Sequence, residues 1–218
     1  MFQPHLKILP PAQRTLWPEL AEVPKHFVLY GGTALALRMG HRESLDFDFF
    51  SSEKIIPGEL LGNLTLLKTA KILQNTTQTL VVDAGQKAPV KLSFFGGLTI
   101  GRVGEPENTP DGVLKVASLL DLAGTKAAVI TQRAESKDYI DLLRIIQSGI
   151  DLPFAIAAAR ALYRESYNPL MTIKALTYFG DGDLHKLTSE QQTTLLRIAS
   201  TQQYSLPDLA RVSDKIAP

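Results

Sequence analysis

The 218-residue sequence contains no cysteine and almost no net charge. Without cysteine the chain forms no disulfide, binds no metal through thiolates and has no cysteine nucleophile, which fits a reducing compartment. Its 23 Lys and Arg residues face 22 Asp and Glu residues, and the two signs stay balanced on both sides of Gly112. Polybasic capture of nucleic acid or of an anionic membrane is therefore a poor expectation, although a local basic pocket remains compatible.

The sequence also lacks a long apolar run. Pro4 and His5 stand where a signal peptide would carry its apolar stretch, and no run approaches the ~20 residues of a membrane span. A hydrophobic content of 44% with 21% charged residues is typical of a globular protein. We expect a soluble cytoplasmic protein with no membrane partner, large enough for one large or two small domains.

Short β-type runs separated by Gly- and Pro-containing turns dominate the first half of the chain. The predicted strands are Phe27–Tyr30, Leu45–Phe50, Leu80–Val82, Val90–Phe95 and Leu98–Val103. Trp17 is predicted to anchor an N-terminal helix in the core. We therefore expect residues 1–116 to form a small mixed β-sheet with flanking helices.

The second half has helical periodicity almost throughout. The predicted helices are Ser118–Arg133, Lys137–Gln147, Pro153–Tyr167, Pro169–Phe179, Ser189–Gln202 and Pro207–Ile216. Alanines in the third of these predict close helix packing. The fold class is therefore α+β (α/β), with a mostly helical region over residues 117–218. Gly101–Asp111 is the best candidate for a linker, and it fits a long hairpin loop equally well.

A phosphate-binding turn is predicted where the first strand ends. Gly31 and Gly32 allow the backbone to turn sharply and to approach a ligand closely. Thr33 then opens a short helix whose unpaired N–H groups favour an anion such as phosphate. Gly40 is expected to end this helix, and a polar turn with His41, Arg42 and Ser44 follows.

Two aspartates lie on the strand after this turn. Asp46 and Asp48 are two residues apart, so they point to one face, while Leu45, Phe47 and Phe49 point to the other. Two carboxylates on an apolar strand repel each other unless a cation joins them. Mg²⁺ (or Mn²⁺), which takes carboxylates together with substrate phosphates, is the expected partner.

Each of these signals is weak alone, because a Gly-Gly pair is usually a turn and an Asp-x-Asp pair is usually an exposed strand end. Their succession within one short unit is far less common by chance. It resembles the first signature of the polymerase-β-like nucleotidyltransferases, and within them of the AbiEii-type toxins of abortive-infection and toxin–antitoxin systems. The matching residues are Gly31 to Leu37, Gly40 to Arg42, Ser44 and Asp46 to Phe50.

A second signature is similar to the lysine helix of this family and to the Asp-x-x-Asp helix that follows it. It comprises Asp121 to Ala128, Arg133 and Lys137 to Leu143, and the resemblance covers about Pro10 to Gly149. The resemblance implies that Lys126 contacts the nucleotide and that an acid supports the site, either Asp138, which we prefer, or Asp141.

The spacing of these residues also allows an ordinary surface interpretation. Lys126 and Arg133 are seven apart on one predicted helix, where two cations could meet a triphosphate or simply form a solvated basic stripe. Asp138 and Asp141 share a face of the next helix, and Lys137 could pair with Asp141 on the surface.

One departure from the wider superfamily concerns a third carboxylate on a later strand. On the corresponding strand here, Val90–Phe95, the inward polar residue is Ser93, which is a poor Mg²⁺ ligand. Three alternatives follow: a reduced metal set, replacement by Asp83 from a neighbouring strand, or nucleotide binding without transfer.

The leading hypothesis is a Mg²⁺-dependent transfer of NMP from an NTP to an acceptor. Gly31, Gly32, Thr33 and Ser44 would bind the nucleotide, with His41 in support, and Arg42, Lys126 and Arg133 would offset negative charge. By resemblance the acceptor is RNA, such as a tRNA 3′ end, and an antitoxin is the protein partner. The alternatives are a non-catalytic nucleotide-binding or partner-binding module, and a phosphotransferase or phosphodiesterase.

Overall fold

A mixed β-sheet organises the first half of the protein in the computed structural model, which describes residues 2–85, 88–200 and 205–218. The chain divides into two units. The first unit comprises Met1–Ile100, Glu105–Ser118 and Ser213–Pro218, and the second comprises Gly101–Gly104 and Leu119–Val212. The sheet lies in the first unit, and the later helices form the second.

Within the described residues the sheet has seven strands, in the order β3-β4-β5-β2-β1-β7-β6. They are β1 (Val28–Tyr30), β2 (Asp46–Phe50), β3 (Lys71–Thr76), β4 (Thr79–Ala84), β5 (Val90–Phe95), β6 (Glu107–Asn108) and β7 (Lys115–Val116). β2 pairs in parallel with β5 and β1 in parallel with β7, while the other neighbouring pairs are antiparallel. The sheet is thus mixed, as predicted.

The two faces of the central strands differ in polarity. One face is buried and apolar, and it carries Leu29, Phe47, Phe49, Leu80, Val82, Leu92 and Phe94. Phe49 stacks on Phe94 with ring centroids 5.0 Å apart. Trp17 lies 6.4 Å from Phe47, measured between ring centroids, and its Nε1 donates to Asp111 at 2.8 Å. The opposite face carries the polar residues of the candidate site.

The helices of the first unit are α1 (Pro11–Leu16), α2 (Gly31–Met39) and α3 (Pro57–Asn63). Gly40 ends α2 in the left-handed conformation, with φ of +59°. Arg38, in the last turn of α2, donates to the carbonyl of Ala117 at 2.6 Å and to Glu107 at 3.1 Å. These bonds tie α2 to the β6–β7 hairpin.

The second unit contains α4 (Leu119–Val129), α5 (Ser136–Gln147), α6 (Leu152–Tyr163), α7 (Pro169–Ala175) and α8 (Ser189–Ser200). α4 and α6 pack closely, because a Cβ atom added at Gly124 would lie 2.8 Å from the backbone nitrogen of Ala159. Ala155, Ala158 and Ala159 are fully buried on α6. The close helix packing predicted from the alanines is thus confirmed.

Across the described residues, no single helix has the length and hydropathy needed to cross a membrane. Ser136–Gln147 and Leu152–Ser166 meet that criterion together, as a pair bent by 117°.

Most predicted elements are present, and two predictions are wrong. Leu98–Val103 is not a strand, because the chain leaves the sheet there and the N–H of Leu98 donates to the carbonyl of Ser51. The described part of Pro207–Ile216 contains no helix. The N–H of Val212 donates to the carbonyl of Arg102, and that of Ile216 to the hydroxyl of Ser52.

The last two residues of the predicted helix Ser189–Gln202 lie outside the described residues.

The sequence analysis missed β3, which is exposed along its whole length. A strand that buries neither face shows no alternation of apolar and polar residues. It forms by pairing with β4, in a hairpin closed between Thr76 and Thr79.

Replacing Gly124 by Ala tests the contact between α4 and α6. The added methyl group has no room against the α6 backbone, so we expect a loss of about 1 to 3 kcal/mol in the free energy of unfolding. Urea denaturation measures it. Gly62→Ala is the matched control, because nothing lies within 4 Å of the added atom and alanine favours the helix. Equal stability of the two variants would contradict the close packing.

Candidate active site

The Gly31–Gly32 turn lies directly against the first aspartate strand. Gly31 has φ of +72°, a conformation that residues with a side chain rarely adopt, and α2 begins at this residue. A Cβ atom there would overlap the carboxylate of Asp48. Glycine at this position therefore allows the Asp48 carboxylate to approach the backbone at the start of α2.

Gly32 makes a second close approach, to the polar turn. A Cβ atom there would lie 2.7 Å from the hydroxyl oxygen of Ser44 and 3.0 Å from Nη2 of Arg42. His41 lies half-buried in the same turn. The structure thus brings together the predicted nucleotide-binding residues of the first unit.

Thr33 is fully buried, and its hydroxyl donates to the backbone carbonyl of Asp46 at 2.5 Å. The side chain therefore holds β2 against α2. Because the hydroxyl is engaged in this hydrogen bond, the phosphate contact predicted for Thr33 would be made by its backbone N–H group.

Asp46 and Asp48 share the polar face of β2 and are both partly exposed, whereas Phe47 and Phe49 are buried on the other face. Leu45 was predicted to lie with these phenylalanines, and this is wrong. It precedes the strand and is 68% exposed.

Lys91 is a member of this face that the sequence analysis did not single out. It lies opposite both Asp46 on β2 and Asp83 on β4, and its Nζ is 2.8 Å from Oδ2 of Asp46. The hydrogen bond to Asp46 raises the pKa of Lys91, burial opposes this, and the charges of Asp46, Asp48 and Asp83 raise it further. Only the pairing of β2 with β5 reveals this neighbour.

The same strand register locates Ser93 and Asp83, the two residues considered in connection with a third carboxylate. Ser93 is buried and lies directly opposite Asp48, so the structure places a hydroxyl beside that aspartate. Asp83 lies on the same face, but one strand beyond Lys91 and therefore about 10 Å from Asp46 along the sheet. Lys91 thus separates Asp83 from the aspartate pair.

The donors on this face suit a hard cation held in part by its substrate. Asp46 and Asp48 offer carboxylate oxygens, and among the described residues there is no group of three His, Cys, Asp or Glu side chains that could hold a metal ion. Mg²⁺ commonly uses one or two carboxylates and completes its octahedron with phosphates and water. The residues therefore fit a magnesium ion bound together with a nucleotide.

The second unit contains a buried ionic cluster around Lys126. Its Nζ lies 2.6 Å from Oδ1 of Asp138 and 2.8 Å from Oδ2 of Asp141. Both carboxylates are fully buried, and the lysine side chain is 7% exposed. The interpretations as a solvated basic stripe and as a surface pair of Lys137 with Asp141 are both wrong.

Arg133 does not share a helix face with Lys126 as predicted. α4 ends at Val129, so Arg133 lies in the turn before α5. Its Nε donates to Oδ2 of Asp138 at 2.8 Å, and its side chain is 46% exposed. The two cations therefore meet at Asp138 rather than along one helix.

Burial alone would raise the pKa of Asp138. The charge of Lys126, hydrogen bonds from Arg133 and Lys126, and the charge of Arg133 outweigh this and hold the pKa below its ordinary value of 3.8. Asp138 is therefore held as a carboxylate in the folded protein.

Comparison with known proteins identifies the family of the chain. The sequence model of the family described as "Nucleotidyl transferase AbiEii toxin, Type IV TA system" matches residues 16–214, which is most of the chain. The chain belongs to the AbiEii nucleotidyltransferase toxin family. It is also 33% identical over 160 residues to an uncharacterized protein of Aquifex aeolicus, covering 71% of this chain and 74% of that protein.

Solved structures share the fold of this AbiEii chain. MenT4, a nucleotidyltransferase toxin from Mycobacterium tuberculosis, matches with a TM-score of 0.54 and 15% identity, over 88% of this chain and 86% of that one. An antigenic nucleotidyltransferase-like protein from Paracoccidioides brasiliensis matches with a TM-score of 0.52 and 15% identity, over 76% and 87%. The chain is a nucleotidyltransferase toxin of a type IV toxin–antitoxin system, a class that implies an NTP substrate and a cognate antitoxin.

Replacing Lys126 by Met tests the buried cluster. The change leaves Asp138 and Asp141 without their shared cation, so we expect a loss of about 3 to 5 kcal/mol in the free energy of unfolding, measured by urea denaturation. Lys137→Met is the control. That lysine pairs with Glu135 at the surface, where removing the pair costs less than about 1 kcal/mol. Similar stabilities of the two variants would contradict the cluster.

The lowered pKa of Asp138 predicts an acid-dependent stability. A carboxyl group whose pKa is lower in the folded protein stabilises it above the unfolded pKa, here 3.8, and this contribution is lost as the pH falls through the folded pKa. We expect Asp138→Asn to lose less stability than the wild type between about pH 5 and about pH 3. Urea denaturation at both pH values measures this, with exposed Asp151→Asn as the control. Parallel losses in all three proteins would refute the prediction.

Proposed function

We propose that this AbiEii-family chain transfers an NMP group from an NTP to an acceptor hydroxyl and releases pyrophosphate. The observation that carries the proposal is the contact of the Asp48 carboxylate with the Gly31 backbone, at the start of a helix and beside Asp46. A phosphate chain and two carboxylates can meet a single cation there.

The start of α2 and the polar turn are proposed to hold the triphosphate. The backbone N–H groups of Gly31, Gly32 and Thr33 lie in the first turn of the helix, where its dipole favours an anion. Arg42 and Ser44 lie against Gly32, so their side chains can add charge and hydrogen bonds to the same phosphates.

Asp46 and Asp48 are proposed to bind Mg²⁺, or Mn²⁺ in its place. The bound metal would neutralise charge that develops on the phosphate oxygens during transfer. The role of the two aspartates is to hold the cation at a fixed position on the sheet. The hydrogen bond from Thr33 to the backbone of Asp46 supports that position.

In the transfer step the acceptor oxygen forms a bond to the α-phosphorus, and the bond from that phosphorus to the bridging oxygen of pyrophosphate breaks. The acceptor hydroxyl loses its proton to a base, and pyrophosphate leaves with the electron pair of the broken bond. Arg42 is proposed to stabilise the charge that the phosphates carry in this step.

Within the second unit, Lys126, Arg133, Asp138 and Asp141 remain our proposed site residues. Arg133 is the half-exposed member of this cluster, so we propose that it is the cation able to meet a phosphate group. Lys126 is held between Asp138 and Asp141, and we propose that this buried group positions Arg133 through Asp138.

We propose RNA as the acceptor, with the free hydroxyl of a tRNA 3′ end as the attacking group, and the cognate antitoxin as the protein partner. The support is the family to which the chain belongs and its likeness to a nucleotidyltransferase toxin.

Incubation of the purified protein with each labelled NTP, Mg²⁺ and total RNA tests the transfer. We expect label in RNA and release of pyrophosphate. Asp46→Asn and Asp48→Asn should each lower the rate about 100-fold or more, because the cation loses a ligand. Glu59→Gln, at an exposed position of α3, should keep the wild-type rate.

Other products would contradict the proposal in recognisable ways. Release of a nucleoside diphosphate would indicate phosphoryl transfer instead. Calorimetric binding of NTP without any product would indicate a non-catalytic module. Full activity of Asp46→Asn would remove the assignment of the metal site.

A further inference from the structure

The carboxylate face of the sheet already contains a cation supplied by the chain. Lys91 on β5 lies between Asp46 on β2 and Asp83 on β4, in register with both. Its ammonium group is 2.8 Å from Oδ2 of Asp46. A divalent ion that binds both carboxylate oxygens of Asp46 would have to occupy the position of this ammonium group. The ion and Lys91 therefore compete for Asp46.

The exposure of the pair indicates that it can open. The side chains of Lys91 and Asp46 are 40% and 35% exposed, so water can solvate both groups when they part. Lys126, in contrast, is 7% exposed between two fully buried carboxylates. A half-exposed ion pair contributes little net stability, so breaking it costs little.

Strand β5 offers the pair of Asp46 and Asp48 no third carboxylate, and Asp83 lies one strand further away. Ser93 stands opposite Asp48, and Lys91 stands opposite Asp46, so β5 adds a hydroxyl and a positive charge where a carboxylate would add a ligand. A divalent ion arriving alone therefore meets two carboxylates, and that of Asp46 is already paired with the ammonium group of Lys91. An NTP brings the negative charge that both the metal ion and Lys91 can share.

We propose that Lys91 is a resident cation that occupies Asp46 in the metal-free protein and moves off it when a divalent ion binds with the nucleotide. Lys91 is then a positioning residue for Asp46, and it makes metal binding depend on nucleotide. This inference rests on the proposed function, because it takes Asp46 as a metal ligand.

Titration with Mn²⁺ alone, followed by electron paramagnetic resonance of the free ion, tests this directly. Lys91→Met should bind Mn²⁺ about three- to tenfold more tightly than the wild type, because a competing positive charge is gone. Lys91→Arg, which keeps the charge, should stay within about twofold of the wild type. Lys54→Met removes the same charge from an exposed position of the same unit and should leave the affinity unchanged.

A thermal measurement gives a second readout that a merely structural lysine would not produce. In EDTA, Lys91→Met should unfold at a lower temperature than the wild type, because Asp46, Asp48 and Asp83 repel one another without it. Added Mn²⁺ should raise the unfolding temperature of Lys91→Met back to that of the wild type. A loss that Mn²⁺ does not restore would assign Lys91 to packing and overturn the inference.

The two levels of the hypothesis fail differently. If Asp46→Asn abolishes Mn²⁺ binding while Lys91→Met and Lys54→Met bind equally, the role of Lys91 is wrong and the metal site stands. If Asp46→Asn has no effect on Mn²⁺ binding in the wild-type or the Lys91→Met background, the metal site itself is wrong.

Discussion

The parallel pairing of β2 with β5 is the constraint on which the candidate site depends. Its register sets Phe47 and Phe49 against Leu92 and Phe94 on the buried face, so a shift by one residue would bury the aspartates and expose the core. The same register sets Asp46 beside Lys91 and Asp48 beside Ser93. Burial of the apolar face therefore determines which polar groups meet on the other face.

Each unit contains neighbouring carboxylates that are neutralised by a lysine, and the two lysines differ in burial. Adjacent carboxylates need positive charge, and in each unit a lysine lies within 3 Å of an aspartate oxygen. Lys126 is enclosed, so its pairing with Asp138 and Asp141 is a fixed part of the folded structure. Lys91 is half-exposed, so its pairing with Asp46 is exchangeable. Burial, rather than distance, separates a structural ion pair from one available for function.

Local patterns predicted much of the fold because they depend on neighbours in sequence. The two-residue spacing of Asp46 and Asp48 was enough to place them on one face, and glycine at 40 was enough to end α2. The placement of Arg133 failed because α4 stops at Val129, and nothing in the local periodicity marks that end. The helix predicted after Pro207 failed because N–H groups of that segment bond to distant residues.

The sequence by itself determined which groups are available for chemistry: carboxylates rather than thiolates, a glycine turn before an acidic strand, and a family signature. Each of these depends on composition or on residues close together in sequence. Tertiary structure decided which charged side chains form ion pairs with one another. Lys91 is more than forty positions from Asp46 in sequence, and only strand pairing brings them to 2.8 Å. Lys126 could be a surface residue or a buried one by its spacing, and the packing of α4 with α5 made it buried. Contacts between distant segments depend on how apolar faces pack, and spacing within one segment does not contain that information.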